Sequence, residues 1–216
     1  MNKTINVKGQ ASLSFKPDII ILSFRFSSIA KDYAQSVQIN DSKVNKMLAQ
    51  LEPLAFKKDD FKTTLYQVNT HYESYQDENN QYKSRFAGYQ SNHHLKLSFD
   101  LDMKRLAQVI TAISQSESTP EFDIKFSIKD NRAVNDALLK AASDNAHRIA
   151  NTLAETNKLQ LGNLIRIDYS WIEVELHAKT DVLIHANEMP RARVLSEFVP
   201  EDIEVSDSLL FVWELI

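Results

Sequence analysis

The chain of 216 residues contains no cysteine, only 3 glycines and only 5 prolines. Each shortage removes a class of function. Without cysteine there is no disulfide framework, no thiolate metal site, no iron–sulfur cluster and no cysteine nucleophile. Phosphate-cradling loops place several glycines in one turn, whereas Gly9, Gly88 and Gly162 lie far apart, so neither a dinucleotide fingerprint nor a P-loop is present. Charge of one sign is not in excess: 25 Lys and Arg stand against 29 Asp and Glu, a formal net charge of −4. No nucleic-acid partner is expected, because displacing counterions needs a basic stripe. The longest aliphatic run, Ile19–Leu22, falls far short of the roughly 18 residues of a spanning helix, so no membrane span is expected. Met1–Ile5 carries no apolar signal core. The expected location is cytoplasmic as the chain stands, and periplasmic or at the cell surface if an export signal preceded it.

What is present is enough apolar material for a packed core: 43% hydrophobic residues, with 11 Phe and 7 Tyr. Short strands are expected over 4–8 and 11–15, on either side of Gly9. Over 18–28 the alternation of Ile20, Leu22, Phe24 and Phe26 with Ser23, Arg25 and Ser27 marks a strand with one wet face. The period then turns helical over 31–51, with Tyr33, Ala34, Val37, Val44, Leu48 and Leu51 on one stripe, and Pro53 ends it. Strands over 61–75 and 87–99 flank the polar run 76–81 and form an antiparallel hairpin. Asp102 caps a helix over 103–114. Residues 122–128 alternate as a strand. Asp130 starts a long alanine-rich helix that ends near Asn157, with Val134, Ala137, Leu138, Ala141, Ile149 and Leu153 inward. Strands over 161–171 and 203–216 complete the pattern, the last apolar on both faces near its end. The class is α+β: a mainly antiparallel sheet with about three helices packed on one side, in one domain over 1–216, with 1–114 and 122–216 as candidate lobes.

Six local patterns occur in order along the chain. They are Val7-Lys8-Gly9-Gln10-Ala11 with Lys16-Pro17-Asp18; Phe61-Lys62-Thr63 running on to Tyr72; Gly88-Tyr89-Gln90-Ser91-Asn92; and Phe126-Ser127-Ile128. The alanine-rich run from Ala137 to Ala154 with Leu161-Gly162, and Pro200-Glu201-Asp202-Ile203-Glu204-Val205, follow. Together these resemble the SIMPL-domain family, a widespread bacterial domain mostly exported to the periplasm or cell surface. Asn157 stands where a glycine is usual, and 171–196 follows no pattern of the family. The resemblance implies an α+β domain, large homo-oligomers in some relatives, and links to oxidative stress, outer-surface antigens or kinase signalling. It implies no catalytic residues.

The residues that could carry chemistry have ordinary structural readings. Adjacent His93 and His94 point to opposite faces of a strand and cannot jointly chelate one ion. Glu173, Glu175 and His177 alternate onto one face near His185 and Glu188, an N/O set that zinc accepts, but a solvated charged face has the same pattern. Asp100 and Asp102 read as helix caps rather than an acid/base pair, and Asp77-Glu78 as an exposed hairpin tip. No GxSxG elbow is present. Tyr66, Tyr72, Tyr75, Tyr82 and Tyr89 gather around the hairpin, as strand formers or as a contact surface.

At Trp171 the apolar phase changes. Ile165, Ile167, Tyr169 and Trp171 occupy odd positions, whereas Ile172, Val174 and Leu176 occupy even ones, so the chain bulges or leaves the sheet there. With Val182, Leu183 and Ile184 these residues read as a hairpin over 172–199. It either protrudes as an arm that builds a homo-oligomer or folds back over an open edge of its own subunit. The expected function is a non-enzymatic, cofactor-free assembly or interaction protein in oxidative-stress or envelope physiology, with a kinase or other protein as partner by analogy alone. The alternative is a ligand- or metal-binding protein, or an enzyme, using a cleft near 61–99 with Tyr72, Tyr89, His93 and His94.

Overall fold

A computed structural model describes residues 3–118, 120–169, 176–178, 182–184 and 198–216, with backbone alone at 182–184. Its elements are β1 (Lys3–Phe15), β2 (Ile19–Ala30), α1 (Tyr33–Leu51), β3 (Phe61–Gln76), β4 (Tyr82–Asp100), α2 (Met103–Gln115), β5 (Glu121–Ser127), α3 (Asn131–Thr156), β6 (Leu161–Asp168), β7 (Val182–Ile184) and β8 (Ile203–Leu215). The expected α+β class is what the chain adopts, with two sheets ordered β1-β8-β6 and β3-β4-β2-β5-β7. The helix-on-sheet layering is thus realised twice. Contacts group Met1–Asp18, Ser127–Lys179 and Glu201–Ile216 into one compact unit, and Ile19–Phe126 and Thr180–Pro200 into another. A cut between 114 and 122 would separate β1 from β8, its partner along its whole length.

In the first unit, β1 runs unbroken through Gly9 instead of forming two short strands, pairing from Lys3↔Leu215 to Phe15↔Ile203. Gly9 marks a close approach, not a break. A Cβ there would overlap the Ala142 carbonyl oxygen and meet the Ala146 Cβ. Helix α3 lies against β1 and β8 through Ala142, Ala146 and Ala150, which pack with Val7, Leu209, Phe211 and Trp213. Its buried row is Val134, Leu138, Ala142, Ala146, Ala150 and Ala154, a strict fourfold spacing, whereas the expected inward residue Leu153 is 45% exposed. The small residues win the inner row because only they let helix and strand backbones come this close. Asp130 caps the helix by accepting from the Ala133 N–H at 3.0 Å.

Strand β6 joins the other edge of β8 with two register shifts and ends at Asp168, short of Trp171. Leu164, Ile165 and Ile167 on it are exposed. Of the residues expected to form an arm, Trp171, Ile172 and Val174 lie outside the described residues. Leu176 is buried, and its carbonyl accepts the Ser127 hydroxyl at 2.5 Å. Val182, Leu183 and Ile184 form β7, which pairs with Ile124, Asp123 and Phe122 of the same chain in the second unit, the fold-back arrangement for these three residues.

In the second unit, Ile20, Leu22, Phe24 and Phe26 of β2 are fully or nearly fully buried, as their alternation requires. They sit in register with Phe99, Leu97, Leu95 and His93 of β4. Phe24 meets the rings of Phe61 at 6.4 Å and Phe122 at 5.8 Å. Val44, Met47 and Leu51 of α1 and Leu106, Val109, Ile110 and Ile113 of α2 supply buried helix faces. Asp102 caps α2 as expected, accepting from the Lys104 and Arg105 N–H groups at 2.9 and 3.0 Å. The first half of α1 departs from the expected stripe. Tyr33 and Ala34 are exposed, and the fully buried positions are Ser36 and Asn40. The reason lies beneath them: β2 and β4 present Ser28 and Ser91 there, and polar groups on the helix answer them. Ser28 Oγ donates to the Ser36 carbonyl at 2.6 Å, and Asn40 Nδ2 donates to the Ser91 carbonyl and Oγ at 3.0 and 3.1 Å.

Candidate functional site

Strands β3 and β4, of 16 and 19 residues, pair from Phe61↔Leu97 to Gln76↔Tyr82 and are longer at the turn end than their hydrophobic pattern announces. Strand β2 accompanies β4 only as far as Ala30↔Tyr89. Beyond that point, among the described residues, 71–76 and 82–88 form a two-stranded ribbon. Its turn is organised by Asp77, whose carboxylate accepts from the Asn79 and Gln81 N–H groups and pairs with Lys83 Nζ at 2.7 Å. Those hydrogen bonds, from Lys83 first, hold the Asp77 carboxyl below its ordinary value of 3.8.

The ribbon has two different faces because opposite residues in an antiparallel pair point the same way and successive ones alternate. One face carries Glu73 opposite Arg85, an ion pair at 3.3 Å, and Tyr75 opposite Lys83, with the Arg85 guanidinium over the Tyr75 ring at 5.6 Å. The other carries Tyr72 opposite Phe86, with rings edge-on at 5.9 Å. Phe86 meets Tyr89 at 5.5 Å, and Tyr89 meets Tyr33 of α1 at 5.9 Å, both edge-on. Four rings thus form one continuous row, of which Tyr33, Tyr72 and Phe86 are more than half exposed.

Gly88 makes this row possible. Phe86 and Tyr89 are three residues apart and would lie on opposite faces of a regular strand. At Gly88 the register shifts, so that His71 faces Gly88 but Tyr72 faces Phe86, and φ there is +143°. A side chain at this position would be strained, and its Cβ would overlap the Ala30 carbonyl.

His93 and His94 point to opposite faces, as their adjacency requires. His93 shares its face with buried Phe26, and its Nε2 lies 3.1 Å from Thr63 Oγ1, with the Tyr66 ring edge-on at 5.0 Å. Burial pushes the imidazole below its ordinary value of 6.5; the Asp41 charge opposes that and His94 adds to it. Burial, followed by the charges of Asp41 and Tyr33, pushes the Tyr66 hydroxyl up. His94 shares its face with Arg25, which is bound to Asp123 at 2.6 Å, and both line an open polar groove with Lys43, Gln90 and Asn92. The four residues Tyr72, Tyr89, His93 and His94 therefore do not form one cleft: the first two belong to the aromatic row, and His94 is on the reverse face.

His177 lines a cavity of about 310 Å³ with Glu201, Asp202 and Glu204, while Glu173, Glu175, His185 and Glu188 lie outside the described residues. Among the described residues, no group of three or more His, Asp or Glu is placed to hold a metal ion. No described helix is long and apolar enough to cross a membrane.

A family model described as SIMPL, protein of unknown function, matches residues 5–213 of the chain. The chain belongs to the SIMPL family. No curated protein matches it. In this SIMPL chain the first and third of the six sequence patterns have packing duties: Gly9 admits α3 and Gly88 admits Ala30. Sequence reasoning missed Tyr33 and Phe86 as members of the aromatic row, and Asn40 and Ser91 as buried polar partners. An isolated glycine inside a strand pattern, which often marks a bulge, was the available signal for Phe86.

Proposed function

We propose that this SIMPL protein is a non-enzymatic assembly and interaction protein whose self-associating surface is the aromatic side of the β3–β4 ribbon. The observation that carries this is the row Tyr72–Phe86–Tyr89–Tyr33, whose more exposed end, Tyr72 and Phe86, lies on a ribbon that β2 no longer accompanies. Tyrosine and phenylalanine bring large contact area with little rotamer entropy to lose, which suits them to interfaces. A two-stranded ribbon is also marginal by itself, and its free edges are templates for further pairing. The ionic groups on the reverse face are matched within the ribbon, Glu73 with Arg85 and Asp77 with Lys83, so the surface has no strong net charge to attract a polyanion. Oxidative-stress or envelope physiology is the setting we propose for this role, by family analogy alone.

Light scattering on the full chain tests the reading. The wild type is expected to sediment and scatter as a homo-oligomer, and the double variant Tyr72→Ser, Phe86→Ser as a smaller species with unchanged circular dichroism. A wild type that stays monomeric at high concentration, or a variant that assembles as before, refutes it.

A further inference from the structure

Within the second unit, the reverse face of β2 and β4 carries a groove whose polar groups are mostly donors with capacity to spare. Ser27 stands opposite Asn92 and Arg25 opposite His94, so these four side chains share one side of the sheet. With Lys43, Gln90 and Glu121 they line a cavity of about 430 Å³, large enough for a small organic molecule. Hydrogen bonds tie the same residues together. Lys43 Nζ reaches across from α1 to donate to the Ser27 carbonyl at 2.8 Å, and Gln90 Nε2 donates to Ser27 Oγ at 3.0 Å.

The charges of the groove are unequally matched. Arg25 is committed within the fold, with its guanidinium on Asp123 at 2.6 Å and Glu121 at 3.9 Å from Nε. Lys43 has no carboxylate partner among the described residues. Its bond to a neutral carbonyl leaves two N–H groups and a full positive charge unanswered. Beside it, the Ser27 hydroxyl has accepted from Gln90 and is free to donate, and Asn92 Nδ2 and the His94 ring donate to no described residue. We propose that this groove binds the carboxylate of a small hydroxylated organic acid, held by Lys43, Ser27 and Asn92. One unanswered lysine matches one carboxylate, whereas a dianion would also meet the charges of Asp123 and Glu121. Gln90 Oε1 and the exposed Glu121 carboxylate are acceptors for the hydroxyls of such a ligand. An alkyl chain finds little here, because Phe26, the apolar residue of the lining, is almost fully buried. The site makes no use of the aromatic row and stands whether or not the ribbon assembles.

Calorimetric titration of the full chain with glycerate, propionate, glycerol and inorganic phosphate tests it. Glycerate is expected to bind saturably, propionate and phosphate more weakly, and the neutral glycerol not at all. Lys43→Gln is expected to weaken glycerate at least about tenfold with an unchanged melting temperature, since the amide still reaches the Ser27 carbonyl while the charge is gone. Asn92→Ala, which leaves Lys43 in place, is expected to weaken it as well. Lys46→Gln removes a lysine of the same helix that lies outside this lining, and is expected to bind as the wild type does. The proposal fails if glycerate shows no saturable binding, if glycerol or phosphate binds as tightly, if Lys43→Gln binds as the wild type does, or if Lys46→Gln loses as much as Lys43→Gln.

Discussion

Replacing Gly9 by alanine adds one methyl group at the place where α3 comes closest to β1. The backbone there is ordinary strand, so alanine suffers no conformational penalty and the whole effect is contact. The new Cβ would overlap the Ala142 carbonyl oxygen and the Ala146 Cβ. Overpacking a core in this way costs about 1–3 kcal/mol, and contact with backbone, which cannot rotate away, puts this case near the upper end. In a chain of this length about 1 kcal/mol moves the melting temperature by about 2–4 °C, so a fall of about 6–12 °C is expected. The assay is thermal and urea unfolding followed by Trp213 fluorescence in a Trp171→Phe background, because Trp213 is buried beneath α3 and stacked on Phe211 at 5.2 Å. Gly162→Ala is the control. Its Cβ would meet the Ile216 side chain and the Glu214 Cβ at 3.0 and 3.1 Å, and the Ile216 side chain is exposed and can move. That variant is expected to stay within about 1 kcal/mol of wild type, since glycine replacement also lowers the entropy of the unfolded chain. Should Gly9→Ala prove as stable as wild type, the close packing of α3 on β1 is refuted.

Other outcomes can be checked independently. Asn40→Ala removes two buried hydrogen bonds to Ser91 and is expected to destabilise by about 1–3 kcal/mol in urea unfolding. His93 titrates below 6.5 in the folded chain because it is partly buried, so the unfolded chain takes up its proton first on acidification. Stability is therefore full above pH 6.5 and falls as the pH drops through the lower folded value, a slope that His93→Gln should flatten. Deleting 203–216 removes the central strand of the β1-β8-β6 sheet along with Leu209, Phe211 and Trp213, and should abolish folding of the first unit; native-like amide dispersion in α3 of the fragment would contradict this.

Periodicity alone determined most of the elements of this protein. Alternation in 18–28 and 122–128, helical spacing in 103–114, and the capping residues Asp102 and Asp130 are local signals, and local backbone physics reads them without knowing what lies opposite. The order of six short patterns likewise pointed to the family without any coordinates. Tertiary structure decided what depends on a neighbour. Gly9 breaks nothing in β1, because its meaning is set by an α3 backbone more than a hundred residues away. The inner face of α1 begins with serine and asparagine because Ser28 and Ser91 lie beneath it, and burial follows the partner's polarity rather than the residue's own. Tyr33, Phe86 and Tyr89 become one surface only because the bulge at Gly88 turns the strand by one residue, and a one-residue shift sends a side chain to the other face. Composition and spacing carry what each residue prefers; which preferences are met is fixed by what the fold brings against it.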